Sequence, residues 1–189
     1  TYPKANELRA AIAIMPTDTL YGIVASALNT SAVERVYELR KRAPDKPCII
    51  LIGDIDELKK FGIVLAIEQK NRINEFKEPT SFVLDCLPSA QGFGGAQEEE
   101  KFAYLHRGTK TLAFRVPQDK NLQELLKKTG PLIAPSANTE GLPPAQNISE
   151  AKKYFGDKIS LYIDGGEIKS KASKVTKLHK DGTIDILRN

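Results

Sequence analysis

A chain of 189 residues, 41% apolar and 28% charged, has the size and balance of one globular domain and little room for a second. Its formal net charge of +4 favours anionic partners such as nucleotides or RNA without requiring them. Two cysteines in apolar runs, Cys48 and Cys86, and two distant histidines, His106 and His179, support neither a disulfide scaffold nor a zinc site.

No apolar run approaches membrane-spanning length and no basic-then-apolar leader opens the chain, so a soluble, cytoplasmic protein with no membrane partner is expected. Residues 10–15 form an apolar run of strand length, closed by Pro16. The polar loop Thr17-Asp-Thr-Leu-Tyr-Gly22 follows. Its hydroxyls and carboxylate are well placed to contact a ligand, and are equally ordinary turn chemistry. A helix is predicted over 31–42, with Ser31 and Glu34 spaced as a capping box and Val33, Val36, Tyr37 and Arg40 recurring at helical intervals. Pro44 disfavours helix at Ala43, which puts Arg42 and Lys46 on an exit loop off the buried stripe. The run Arg40-Lys-Arg-Ala-Pro-Asp-Lys-Pro47 is either a solvated helix end complementing the dipole or an anion-binding loop.

A strand over 48–52, a short helix capped by Asp54 and closed by Gly62, a helix over 63–76 and a strand over 82–86 come next. The glycine- and glutamate-rich stretch 87–100 is expected to be a mobile surface loop, with no chemistry assigned. Strands are predicted over 102–105 and 111–116, around a turn at 107–110. Arg115 is embedded in Leu112-Ala-Phe-Arg-Val-Pro117, where a cation is either paired structurally or bound to an anion, because an unpaired buried charge is costly. Asp119 caps a helix running to Lys128 and stopped by Gly130-Pro131. A strand over 132–135 leads into Ser136-Ala-Asn-Thr-Glu-Gly-Leu-Pro-Pro144, a loop of small polar groups that suits close approach to a ligand and also resembles many ordinary loops. A helix over 149–155, a strand over 159–164, a turn at Gly165-Gly166 and a hairpin of strands 175–179 and 183–187 through Asp181-Gly182 complete the chain. Strands alternating with helices, plus hairpins, predict an α/β fold: a single three-layer domain over 1–189 with a mixed parallel/antiparallel sheet and binding loops gathered at strand ends.

Taken together, Pro16-Thr-Asp-Thr-Leu-Tyr-Gly22, Arg40-Lys-Arg42 with Lys46-Pro47, Arg115-Val-Pro117 and Ser136-Ala-Asn138 resemble, in order and spacing, the motifs of the threonylcarbamoyl-AMP synthase family, whose domain is of the YrdC type. Asp164-Gly-Gly166, Ser173 and Ile186-Leu-Arg188 carry the likeness to the C-terminus. The resemblance implies a short, single-domain form with a twisted mixed sheet flanked by helices and a basic concave cavity. The implied activity is ATP-dependent condensation of L-threonine with bicarbonate to threonylcarbamoyl-AMP and pyrophosphate. The product would feed tRNA modification through a downstream threonylcarbamoyl transferase.

The same resemblance assigns roles to single residues. Arg42 and Lys46 would hold the polyphosphate, with Arg40 beside them. Ser136 and Asn138 would bond the nucleotide, joined in the ATP site by Thr111 and Arg188. Arg115 would take the threonine carboxylate, with Thr17, Thr19 and Ser173 around the amino acid. Arg40, Arg42, Ser136 and Asn138 form the implied catalytic group. ATP is a substrate and Mg²⁺ is expected on its phosphates, with no protein residue assigned to the metal. No covalent nucleophile is needed, since positioning and charge neutralisation can account for catalysis. The chain departs from the family pattern at Arg40, where lysine is usual, and at Leu51, Ala134 and Lys77-Glu-Pro79. Two rival readings remain: a carbamoyl-adenylate-forming relative, and a module that binds double-stranded RNA or tRNA through the same basic cavity, with affinity falling steeply with salt. For the synthase, at most weak RNA or tRNA binding is expected.

Overall fold

Side-chain alternation along the strands decides how this molecule is layered. The structure, a computed structural model, describes residues 2–86 and 100–189. Helix α1 (Ala5–Ala10) precedes β1 (Ala13–Pro16), β2 (Tyr21–Ser26), α2 (Thr30–Arg40) and β3 (Ile49–Leu51). A 3-10 helix (Ile55–Phe61), α3 (Ile67–Glu75) and β4 (Thr80–Asp85) follow. Then come α4 (Ala103–His106), β5 (Thr111–Arg115), α5 (Lys120–Thr129) and β6 (Leu132–Ile133). Helix α6 (Ile148–Phe155), a 3-10 turn (Gly156–Lys158), β7 (Leu161–Tyr162), β8 (Lys174–Leu178) and β9 (Ile184–Arg188) close the chain.

The strands form one sheet in the order β7-β1-β2-β6-β3-β5-β4-β8-β9. The pairs β1–β7, β3–β5 and β4–β8 are parallel and the other neighbours antiparallel, so the expected mixed sheet is present. Successive residues face opposite sides. Ile14, Ile23, Ile50 and Ile133 pack with Val33 and Val36 of α2 and Phe155 of α6. Their neighbours Ala13, Met15, Val24, Leu51 and Leu132 pack instead with Leu8 of α1 and with Leu122, Leu125 and Leu126 of α5. Helices on both faces explain why these strands read as continuous apolar runs rather than alternating ones.

Several expectations change. Strand β2 is not expected from the sequence, where Gly22 reads as a loop end; Gly22 lies inside the strand, with Tyr21 and residues 22–25 buried. A Cβ at Gly22 would stand 3.3 Å from Thr17 Cγ2, so the residue answers a close approach rather than a turn. Residues 102–105 are not a strand: Phe102, Leu105 and His106 are buried at helical spacing and begin or belong to α4. The run was too short for its period to be read. Helix α3 starts at Ile67 rather than residue 63, because Gly62 closes the 3-10 helix at φ 71° and Gln69 Oε1 caps the amide of Ala66. The first strand starts at Ala13, since residues 5–10 are helical. Asn29, not Ser31, caps α2, its Oδ1 accepting the Ala32 amide at 3.1 Å. The loop assigned to 87–100 lies outside the described residues except at its last position.

Candidate active site

Helices α1 and α5 pack on the β1-β2-β6-β3 part of the second sheet face. Farther along, the same face floors a cavity of about 340 Å³. Ile49, Ala113 and Val83 lie in register across β3, β5 and β4 on that floor, and their modest size leaves the space. Such a volume suits a small-molecule site. Loops from widely separated segments make the walls. Thr17 and Thr19 come from the β1–β2 turn, Arg42 and Pro47 from the loop after α2. Thr111 and Arg115 come from the two ends of β5, Ser136 from the loop after β6, and Ser173 and Arg188 from the C-terminal hairpin.

The loop after α2 is built to aim Arg42. Lys41 adopts a left-handed conformation (φ 50°), its amide returning to the Glu38 and Tyr37 carbonyls and ending the helix. Arg42 then donates from Nε to the Lys46 carbonyl (2.9 Å) and from Nη2 to the Pro47 carbonyl (2.9 Å). The Tyr37 hydroxyl donates to that same Lys46 carbonyl at 2.8 Å. Arg107 lies 3.9 Å from the Tyr37 ring centre and pairs with Glu34 at 3.0 Å, which braces the loop from α2.

Two of the residues assigned to the site are buried behind its wall, and a third, exposed, turns away from it. Arg40 is buried and points into the 136–140 loop: Nε donates to the Asn138 carbonyl (3.0 Å), and Nη2 to Asn138 Oδ1 (3.0 Å) and Ser136 Oγ (3.4 Å). Burial, then the neighbouring Arg42 charge, pulls the Arg40 guanidinium down to about 10, where it remains cationic at neutral pH. Asn138 is equally committed, its Nδ2 donating to the carbonyls of Thr139 (3.0 Å) and Leu142 (2.7 Å) while Ser136 Oγ donates to its Oδ1 (2.7 Å). Lys46 reaches Glu140 Oε1 at 2.6 Å instead of the cavity. Neither Arg40 nor Asn138 therefore lines the cavity: their hydrogen bonds go to each other and to the 136–142 loop, and Arg40 Nη1 is buried with no acceptor among the described residues.

At the other end, Arg115 Nη2 donates to Asp18 Oδ1 (2.9 Å) and Thr19 Oγ1 (3.2 Å). Burial lowers the Arg115 guanidinium and the Asp18 carboxylate opposes that shift. Ser173 Oγ shares a hydrogen bond with Ser81 Oγ (2.9 Å), while Arg188 Nη2 donates to the Ser173 carbonyl (2.8 Å). Contributors not assigned from sequence include Tyr21, whose hydroxyl accepts the Gly165 amide (2.8 Å) and donates to the Gly166 carbonyl (2.7 Å). Glu140 is another. Both lie inside stretches singled out from the sequence, but their roles are set by partners far away in the chain.

Fold and site together define an α/β domain with a basic, partly apolar cavity on one sheet face, of the kind that takes small anionic substrates. Residues 8–189 match the family model Sua5/YciO/YrdC, described as "Telomere recombination". The chain belongs to that family. A putative threonylcarbamoyl-AMP synthase from Methanocaldococcus jannaschii is 31% identical over 184 residues, 97% of this chain and 82% of that protein. The human threonylcarbamoyl-AMP synthase is 30% identical over 164 residues, 86% of this chain and 54% of its own length. The Bacillus subtilis enzyme is 29% identical over 82% of this chain, which spans only 42% of it. The crystal structure of P. abyssi Sua5 complexed with L-threonine superposes with a TM-score of 0.76 at 29% identity, over 92% of this chain and 49% of that one.

Proposed function

We propose that this chain is a threonylcarbamoyl-AMP synthase domain acting as one unit over residues 1–189. It consumes L-threonine, bicarbonate and ATP and releases pyrophosphate and water. The observation that carries the reading is the convergence of Arg42, Arg115, Ser136 and Arg188, from four separate segments, on one cavity. Condensation makes the threonine amine a carbamate, whose oxygen must approach the α-phosphate of ATP. Two anions oppose each other there, and fixed cations lower that barrier without moving during the reaction.

In this reading Arg42 and Arg188 grip the polyphosphate; a guanidinium suits phosphate oxygens through paired N–H donors. Ser136 and Thr111 supply hydroxyls to the nucleotide. Arg115 takes the threonine carboxylate, with Thr17, Thr19 and Ser173 around the amino acid, leaving its amine free to meet bicarbonate. Arg40 and Asn138 hold the Ser136 loop in place. Lys46 adds its charge to the phosphates on leaving Glu140. Mg²⁺ would enter with the nucleotide and neutralise phosphate charge, with no residue of this chain assigned to it. No helix among the described residues is long and apolar enough to cross a membrane, and a cytoplasmic place beside a downstream tRNA transferase suits the product.

Incubation with ATP, L-threonine and bicarbonate, omitting each in turn, tests the reading by mass detection of the adenylate. The product should require all three. Pyrophosphate release that ignores threonine would reject it.

A further inference from the structure

The cavity's arginines differ in one respect that its shape conceals. Arg42 donates to the carbonyls of Lys46 and Pro47, and Arg188 to the Ser173 carbonyl and hydroxyl. Those acceptors carry no net charge, and the Glu140 carboxylate near Arg42 is paired with Lys46, so neither guanidinium has an ion-pair partner of its own among the described residues. Arg115 instead forms an ion pair with Asp18 in which the side chains are 5% and 4% exposed. Asp18 is fixed from its other oxygen by the Gln118 amide at 3.3 Å, and faces a second hollow on the far side of Thr19. The Arg115 Nε is buried and has no acceptor among the described residues.

We infer that Asp18 sorts the two substrates by charge. Its carboxylate cancels the net charge of Arg115 while leaving the guanidinium N–H groups as directional donors. That end of the cavity then accepts a singly charged carboxylate by hydrogen bonding and gives little attraction to a phosphate dianion. Polyphosphate is drawn to Arg42 and Arg188, which have no buried carboxylate of their own as Arg115 has, and the amino-acid end stays free while ATP is bound. Asp18 is thus a specificity-determining positioning residue, acting through Arg115. The inference rests on the synthase reading and deepens it, since nothing in the cavity's volume would keep phosphate out of the threonine position.

The test is calorimetric titration with L-threonine, with and without inorganic phosphate at constant ionic strength, and a parallel titration with ATP. In the wild-type protein, phosphate should weaken ATP and leave the threonine affinity unchanged. In Asp18→Asn the uncompensated Arg115 should take phosphate, weakening threonine about tenfold under the same conditions. A wild-type protein that binds threonine but loses it to phosphate overturns the inference alone. One that binds no threonine overturns the synthase reading and the inference with it. A folded Asp18→Asn protein whose threonine affinity ignores phosphate also overturns the inference, and if that variant does not fold, the wild-type titrations decide.

Discussion

Arg40 and Arg42 stand two positions apart in one cationic run, yet only Arg42 lines the cavity. The difference is angular. Arg40 ends helix α2 on its buried stripe with Val33, Val36 and Tyr37, while Lys41 turns left-handed and swings Arg42 off that stripe. Replacing Arg42 by Ala should lower threonine-dependent pyrophosphate release about 100-fold, the usual scale for one preorganised charge-stabilising group. Its hydrogen bonds go to carbonyls of its own loop, so unfolding stability should change by no more than about 1 kcal/mol. Steady-state pyrophosphate assays and thermal melts on the same preparation check both parts. Retained turnover in the folded variant would remove Arg42 from the phosphate site.

Two contacts between elements can be tested without touching the cavity wall. Gly53 follows β3 against helix α5, where an added Cβ would stand 2.7 Å from the Lys127 amide nitrogen and 2.8 Å from the Gln123 carbonyl. Both are backbone atoms and cannot swing aside. Gly53→Ala should therefore cost about 1–3 kcal/mol in denaturant unfolding, and a neutral result would mean α5 packs less closely than described. Glu140 joins the loop after α2 to the loop after β6, accepting from Lys46 Nζ (2.6 Å) and the Ala43 amide (2.5 Å). Those bonds, Lys46 first, hold its carboxyl below the ordinary 4.5. A depressed carboxylate stabilises the fold above its unfolded value, and that stabilisation is lost as pH falls through the folded one. The melting-temperature gap between wild type and Glu140→Gln should be present near neutral pH and close on acidification below 4.5. A gap independent of pH would assign Glu140 a purely steric part.

At the scale of the whole molecule, a net charge of +4 is small, and much of the basic surface is already matched. Lys174 pairs with Glu78, Lys177 with Asp85, Lys46 with Glu140 and Arg107 with Glu34. Binding of a short RNA duplex should accordingly be weak, with a log–log salt slope shallower than about −3. Tight binding with a much steeper slope, measured by fluorescence anisotropy, would favour the RNA-binding alternative over the synthase.

Features governed by a few adjacent residues were legible in the chain itself. Asp54 and Asp119 cap the helices expected of them, Gly62 closes the 3-10 helix, and Asp181-Gly182 turns the last hairpin. Capping and turn geometry depend on atoms a few positions away, so local sequence determines them. Of the motif residues, Thr17, Thr19, Arg42, Arg115, Ser136, Ser173 and Arg188 line the cavity, whereas Arg40, Lys46 and Asn138 from the same motifs do not. The tertiary structure alone decided that β6 enters between β2 and β3, that Arg40 serves Asn138, and that Arg115 meets Asp18 from 97 positions away. Strand order and buried ion pairs are set by which distant surfaces exclude water together, and that free energy belongs to no single segment.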